Sequence, residues 1–72
     1  MVNVNKLKGK IVENGLTIGI LAKKLGIDRS TLYRKLSDEG EMFTIKEANL
    51  ICNILNLSAQ EATAIFFSQY VA

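Results

Sequence analysis

The stretch LAKKLGIDRSTLYRKL, residues 21–36, concentrates five of the chain's nine basic side chains: Lys23, Lys24, Arg29, Arg34 and Lys35. Cations this dense can neutralise a polyanion; the same set can equally be the charged skin of an ordinary helical core whose leucines turn inward. Other chemistry finds no residues to carry it. The chain has no His and a single Cys, Cys52. It can therefore build no internal disulfide and no zinc site of the usual ligand types, and with the lone Cys inside an apolar periodic helix no nucleophile–base pair can be proposed. Neither a glycine-rich phosphate loop of the Walker type nor a dinucleotide fingerprint occurs. The acids fall in one loop and at helix starts, where capping accounts for them. The expectation is a protein that is not an enzyme and uses no metal, cofactor or small-molecule substrate.

The 72 residues suffice for one domain, residues 1–72, since a chain this short buries only about 60% of the surface it exposes when unfolded. Forty-nine per cent are hydrophobic, enough for a compact core and too many for intrinsic disorder. The apolar runs, such as residues 16–22, fall far short of the ~20 residues that span a membrane. No apolar stretch of signal-peptide length precedes Glu13 and Asn14. A reducing cytoplasm, with no membrane partner and with Cys52 in the core, is the expected setting. The net charge of +2 hides an asymmetry. Residues 1–36 hold eight Lys/Arg against Glu13 and Asp28, whereas residues 37–72 hold Lys46 against Asp38, Glu39, Glu41, Glu47 and Glu61. The basic half either meets a polyanion or presents unrelated solvated faces; charge alone leaves both readings open.

The elements that must position these side chains are helical. The chain has no Pro, and its punctuation is Gly, Asn and short capping side chains. Asn3 or Asn5 can cap a first helix over about residues 4–14, with Val4, Leu7, Ile11 and Val12 as its apolar positions and Asn14-Gly15 as a left-handed stop. Thr17 caps a short second helix whose inward stripe is Leu21, Ala22 and Leu25, and Gly26 ends it. Asp28 caps a third, in which Leu32 and Leu36 share one face while Arg29, Ser30, Tyr33 and Arg34 point elsewhere. SDEGEMF, residues 37–43, reads as a loop whose Met42 and Phe43 plug into the core. Thr44-Ile-Lys-Glu47 and Ser58-Ala-Gln-Glu61 are capping boxes. They open a fourth helix over about residues 45–55, with Ile45, Ala48, Ile51 and Leu55 as its apolar positions and Asn56 as its stop, and a fifth running to about Tyr70.

Only Gly26-Ile27-Asp28 separate the second and third helices, and a turn this short holds them at a steep angle, the helix-turn-helix arrangement. Ala22 sits at their closest approach, Gly26 supplies the positive φ, and Ile27 and Leu32 fill the angle. GLTIGILAKKLGIDRSTLYRKL, residues 15–36, resembles the helix-turn-helix of the phage Cro and repressor superfamily (XRE type). There Leu-Ala, a Gly four residues after the Ala, and then Ser/Asp-Arg-Ser/Thr-Thr with an apolar residue recur. NKLKGKIVENG (5–15), Phe43-Thr44, ANLICNILNL (48–57) and IFFSQYVA (65–72) extend the likeness to short Cro-like regulators of phages of Gram-positive bacteria.

That resemblance implies an all-α, compact five-helix, lambda-repressor-like DNA-binding domain whose third helix enters the major groove of a double-stranded DNA operator. The positions matching the base-reading residues are Arg29, Ser30, Tyr33 and Arg34. Thr31, Lys35, Lys23 and Lys24 would meet phosphates and contribute affinity without sequence information. Lys6, Lys8 and Lys10 read as ordinary solvent-facing charges.

One departure stands upstream. Where the superfamily commonly places a phosphate-binding Gln at the first position of the second helix, this chain has Ile18, followed by Gly19 and Ile20. Glycine there costs about 1 kcal/mol relative to Ala. Ile18 and Ile20 are either buried or form an apolar protein-binding patch beside the DNA face. Surplus apolar residues at the C-terminal end, Phe67 and Val71, make a candidate dimer surface, in keeping with the two-fold dimers of Cro and repressor relatives. Two functions follow: a Cro-like regulator occupying an operator as a homodimer, or an anti-repressor that binds a partner phage repressor and touches DNA weakly.

Overall fold

In the computed structural model, residues 2–37 and 43–68 are described. They form α1 (Val4–Glu13), α2 (Ile18–Leu25), α3 (Arg29–Ser37), α4 (Ile45–Ile54) and α5 (Ala59–Phe66), with no strand among them. The start of each helix but α3 is fixed by a side chain that satisfies an orphan backbone donor. Asn3 Oδ1 accepts from the Lys6 N–H at 3.1 Å, and Thr17 Oγ1 from that of Ile20 at 3.1 Å. Thr44–Glu47 and Ser58–Glu61 form complete capping boxes. At α3 the expected Asp28 side-chain cap is not among the described contacts; the Asp28 carbonyl accepts from the Leu32 N–H at 3.1 Å, the same first-turn bond that the other helices make.

Three helices end in the same way. Gly15 (φ 72), Gly26 (φ 75) and Asn56 (φ 53) each adopt the left-handed conformation, and the aliphatic residue that follows folds back onto its own helix. The N–H groups of Leu16, Ile27 and Leu57 donate to the carbonyls of Ile11, Ala22 and Cys52 at 3.0 Å each. This is the Schellman pattern. The three returning side chains pack partly buried against the core, so each stop also seals the helix end with apolar surface.

The core is one cluster: Leu7 and Ile11 from α1, Leu21 and Ala22 from α2, Leu32 and Leu36 from α3, Ile51 and Leu55 from α4 and its C-terminal cap, and Ile65 and Phe66 from α5. Leu7, Leu21, Leu32, Ile51 and Ile65 are fully excluded from solvent. Cutting any one of them to Ala costs about 2–5 kcal/mol, a large part of the roughly 4–11 kcal/mol expected for 72 residues. The Phe43 ring meets Phe66 edge to face, with centroids 6.4 Å apart, as expected for a plug; Met42 lies outside the described residues. Cys52 is half-buried, and burial pushes its thiol up.

Both capping glutamates also hold a lysine from another helix. Glu61 accepts the Ser58 N–H at 2.9 Å and pairs with Lys10 of α1, which also reaches Glu13 at 3.3 Å. Lys10 and the Ser58 N–H bring the Glu61 carboxyl down to about 2, and the two glutamates raise Lys10. Glu47 accepts the Thr44 N–H at 2.8 Å and the Lys35 ammonium at 3.3 Å. Burial pushes Glu47 up, but those donors outweigh it and hold the carboxyl below its ordinary range.

The structure corrects two further expectations. Ile45 does not face the core; it is 82% exposed, because at 100° per residue it stands about 120° round α4 from buried Ile51. The fifth helix stops at Phe66, short of Tyr70: Phe67 leaves helical geometry at φ −129°, ψ 39°. Tyr70 and Val71 lie outside the described residues.

Candidate nucleic-acid interface

The turn between α2 and α3 is built as its residues suggest. Gly26 takes φ 75°, ψ 27°, Ala22 is 1% exposed where α2 and α3 meet, and Leu32 is fully buried in the angle. Ile27 is half-buried against the core. With Leu32 and Leu36 committed inward, the opposite face of α3 must look outward. Ser30 and Arg34 stand on it, Tyr33 on its flank, and Arg29, three residues before Leu32, at the N-terminal edge beside α2; all four are exposed. They form two i, i+4 ladders, Arg29 with Tyr33 and Ser30 with Arg34, and residues at that spacing are neighbours on a helix surface. Each carries a hydrogen-bonding head able to meet base edges.

Lys23 and Lys24 are exposed in the last turn of α2, where the helix dipole favours cations. Neither α2 nor α3 contains an acid, so the two helices present a surface of one charge sign. Thr31 is half-buried at the edge of this face.

Lys35 is placed differently from expectation. Its ammonium lies on Glu47 at 3.3 Å and over the Phe43 ring, 5.9 Å from the centroid. A side chain that ties α3 to the start of α4 is not aimed outward at phosphate. Nothing in the local pattern revealed this, because Glu47 is twelve residues away across the loop.

Ile18 and Ile20 do not make one patch. Two residues apart on a helix, they point about 200° apart. Ile18 is half-buried against the core and Ile20 is 44% exposed. Ile18 instead joins Lys8, Ile11, Val12, Leu16 and Thr17 around an open apolar groove of about 290 Å³. Phe67 is 55% exposed. Gly19 lies beside the site: the stem of Arg29 lies against it. The sequence signal for that contact is a glycine inside a short helix with no turn to make.

Residues 6–64 match the model of the Cro/C1-type helix-turn-helix DNA-binding domain. The chain belongs to that family. No curated protein and no solved structure matches it. As a Cro/C1-type domain it is a DNA-binding regulator, and α2 and α3 are its helix-turn-helix. Among the described residues no cluster of His, Cys, Asp and Glu could hold a metal ion. No described helix is long and apolar enough to cross a membrane.

Proposed function

We propose that the protein is a sequence-specific regulator of the Cro type, acting in the cytoplasm, which inserts α3 into the major groove of an operator and so blocks a promoter or a competing repressor. The observation that carries this reading is the pair of exposed ladders on α3, set against fully buried Leu32 and nearly buried Leu36. Arg29 and Arg34 would each donate twice to guanine O6 and N7, Ser30 would bond a base edge, and Tyr33 would pack on a thymine methyl or bond a phosphate. Lys23, Lys24 and Thr31 would hold the backbone. Lys35 is left out of the interface on the strength of its pairing with Glu47. A homodimer through Phe67 and Val71 would span two half-sites about one helical turn apart.

The groove beside Ile18, with Val12 74% exposed at its rim, favours a second reading, an anti-repressor that grips a partner phage repressor. Selection from random duplex DNA at a stated salt concentration separates the two. An enriched palindrome supports the operator-binding dimer. No enrichment, with capture of a repressor, supports the modulator.

A further inference from the structure

Gly19 is the one glycine inside α2, and a better helix former there would cost nothing in backbone geometry. It lies inside the helix without positive φ, so no turn demands glycine there, and glycine is among the weakest helix formers. What it does provide is space. A Cβ built on Gly19 would stand 3.1 Å from Arg29 Cδ and 3.9 Å from Arg29 Cγ, with Thr17 Oγ1 at 3.8 Å. The Arg29 stem therefore runs back across the first turn of α2 and rests on bare backbone. No core atom crowds the site; the one close neighbour is a mid-chain carbon of an exposed, flexible side chain.

Arg29 is the first residue of α3, with four rotatable side-chain bonds and no ion pair fixing its head among the described contacts. Left to itself, it would sample many directions in solvent and lose that freedom on binding. Resting its stem on α2 restricts the directions its guanidinium can take. We infer that Gly19 is a positioning residue for Arg29: the missing side chain forms a seat that aims the guanidinium, and with it the preference at one base pair. This rests on the reading of Arg29 as a base-contacting residue.

The experiment is a cycle of four proteins, wild type, Gly19→Ala, Arg29→Ala and the double variant, on the selected duplex and its single-base-pair variants. Nuclear Overhauser contacts between Gly19 Hα and Arg29 Hδ are measured in the free wild-type protein. Gly19→Ala should stay folded with an unchanged or higher Tm, and lose about tenfold in discrimination at one base pair, within the range of one bidentate contact. That base pair should be the one at which Arg29→Ala loses discrimination, and Gly19→Ala should add no further loss in the Arg29→Ala background. Arg29 is displaced, not deleted, so the general affinity for unrelated duplex should hold.

Three results overturn the inference while leaving the DNA reading intact: discrimination by Gly19→Ala equal to wild type, an undiminished loss in the double variant, or absence of the Gly19–Arg29 contacts. Failure of Gly19→Ala to fold also overturns it, since the seat would then serve the fold. A wild-type protein with no sequence preference sinks the parent reading and this one together.

Discussion

Gly26→Ala is a perturbation whose size can be worked from the backbone alone. The residue stands at φ 75°, ψ 27° between α2 and α3, and a Cβ added there meets nothing within 4 Å. The change creates no clash and no cavity, so its cost is the strain of a left-handed L-residue, about 1–2 kcal/mol. Restricting the unfolded chain returns about 0.4–1 kcal/mol, leaving a net loss of roughly 1 kcal/mol, which in a domain of this size lowers Tm by about 4–8 °C. Gly9→Ala is the matched control. Gly9 lies inside α1, exposed, and its added Cβ also meets nothing within 4 Å; there alanine should add about 0.8–1 kcal/mol of helix preference. Urea unfolding followed by circular dichroism at 25 °C should therefore move the two midpoints in opposite directions. Equal or greater stability in Gly26→Ala than in wild type would refute the reasoning, because the α2–α3 turn would then not depend on a left-handed glycine.

Arg34→Ala should weaken binding to the selected duplex by about 1–3 kcal/mol and relax preference at one base pair, whereas Lys24→Ala should weaken all duplexes alike and lower the salt slope by about one; titrations at several salt concentrations separate the two. Lys35→Met should leave that slope unchanged and instead cost about 1–3 kcal/mol of stability, because both side chains of its pair with Glu47 are mostly buried and the carboxylate loses its partner. The Glu61 carboxyl is held at about 2 against an ordinary 4.5, and Glu47 is also lowered. Both therefore stabilise the fold above the ordinary value, and that contribution is lost as pH falls from about 4.5 toward the folded values. Lys10→Met should flatten the acid side of a Tm-against-pH curve; an unchanged acid limb would show that the pairing does not matter to stability.

Much of the fold could be read from short-range chemistry. Asn3, Thr17, Thr44 and Ser58 cap their helices within three residues of themselves, and Gly15, Gly26 and Asn56 stop theirs by local backbone geometry, so neither needed tertiary knowledge. The outward face of α3 followed from the inward pull of Leu32 and Leu36. What escaped was set by contacts distant in sequence or by edges. Lys35 finds Glu47 across the loop, and Arg29 finds Gly19 across the turn. The two three-residue steps from Ile45 to Ile51 each drift about 60° round the helix, so the spacing that grouped Ile45 with the core did not carry its side chain there. The apolar run Ile65-Phe66-Phe67 carries no Gly, Asn or Pro, so nothing in it marked the end of α5 at Phe66.

The central claim, that the outer face of α3 is what touches DNA, is tested most directly by titrating isotope-labelled protein with the selected duplex and following backbone and side-chain resonances. The expected result is a set of changes centred on Arg29, Ser30, Tyr33 and Arg34, with Lys23 and Lys24 at its border and Lys35 little affected. Changes centred on Val12, Leu16 and Ile18, with α3 unmoved, would contradict it.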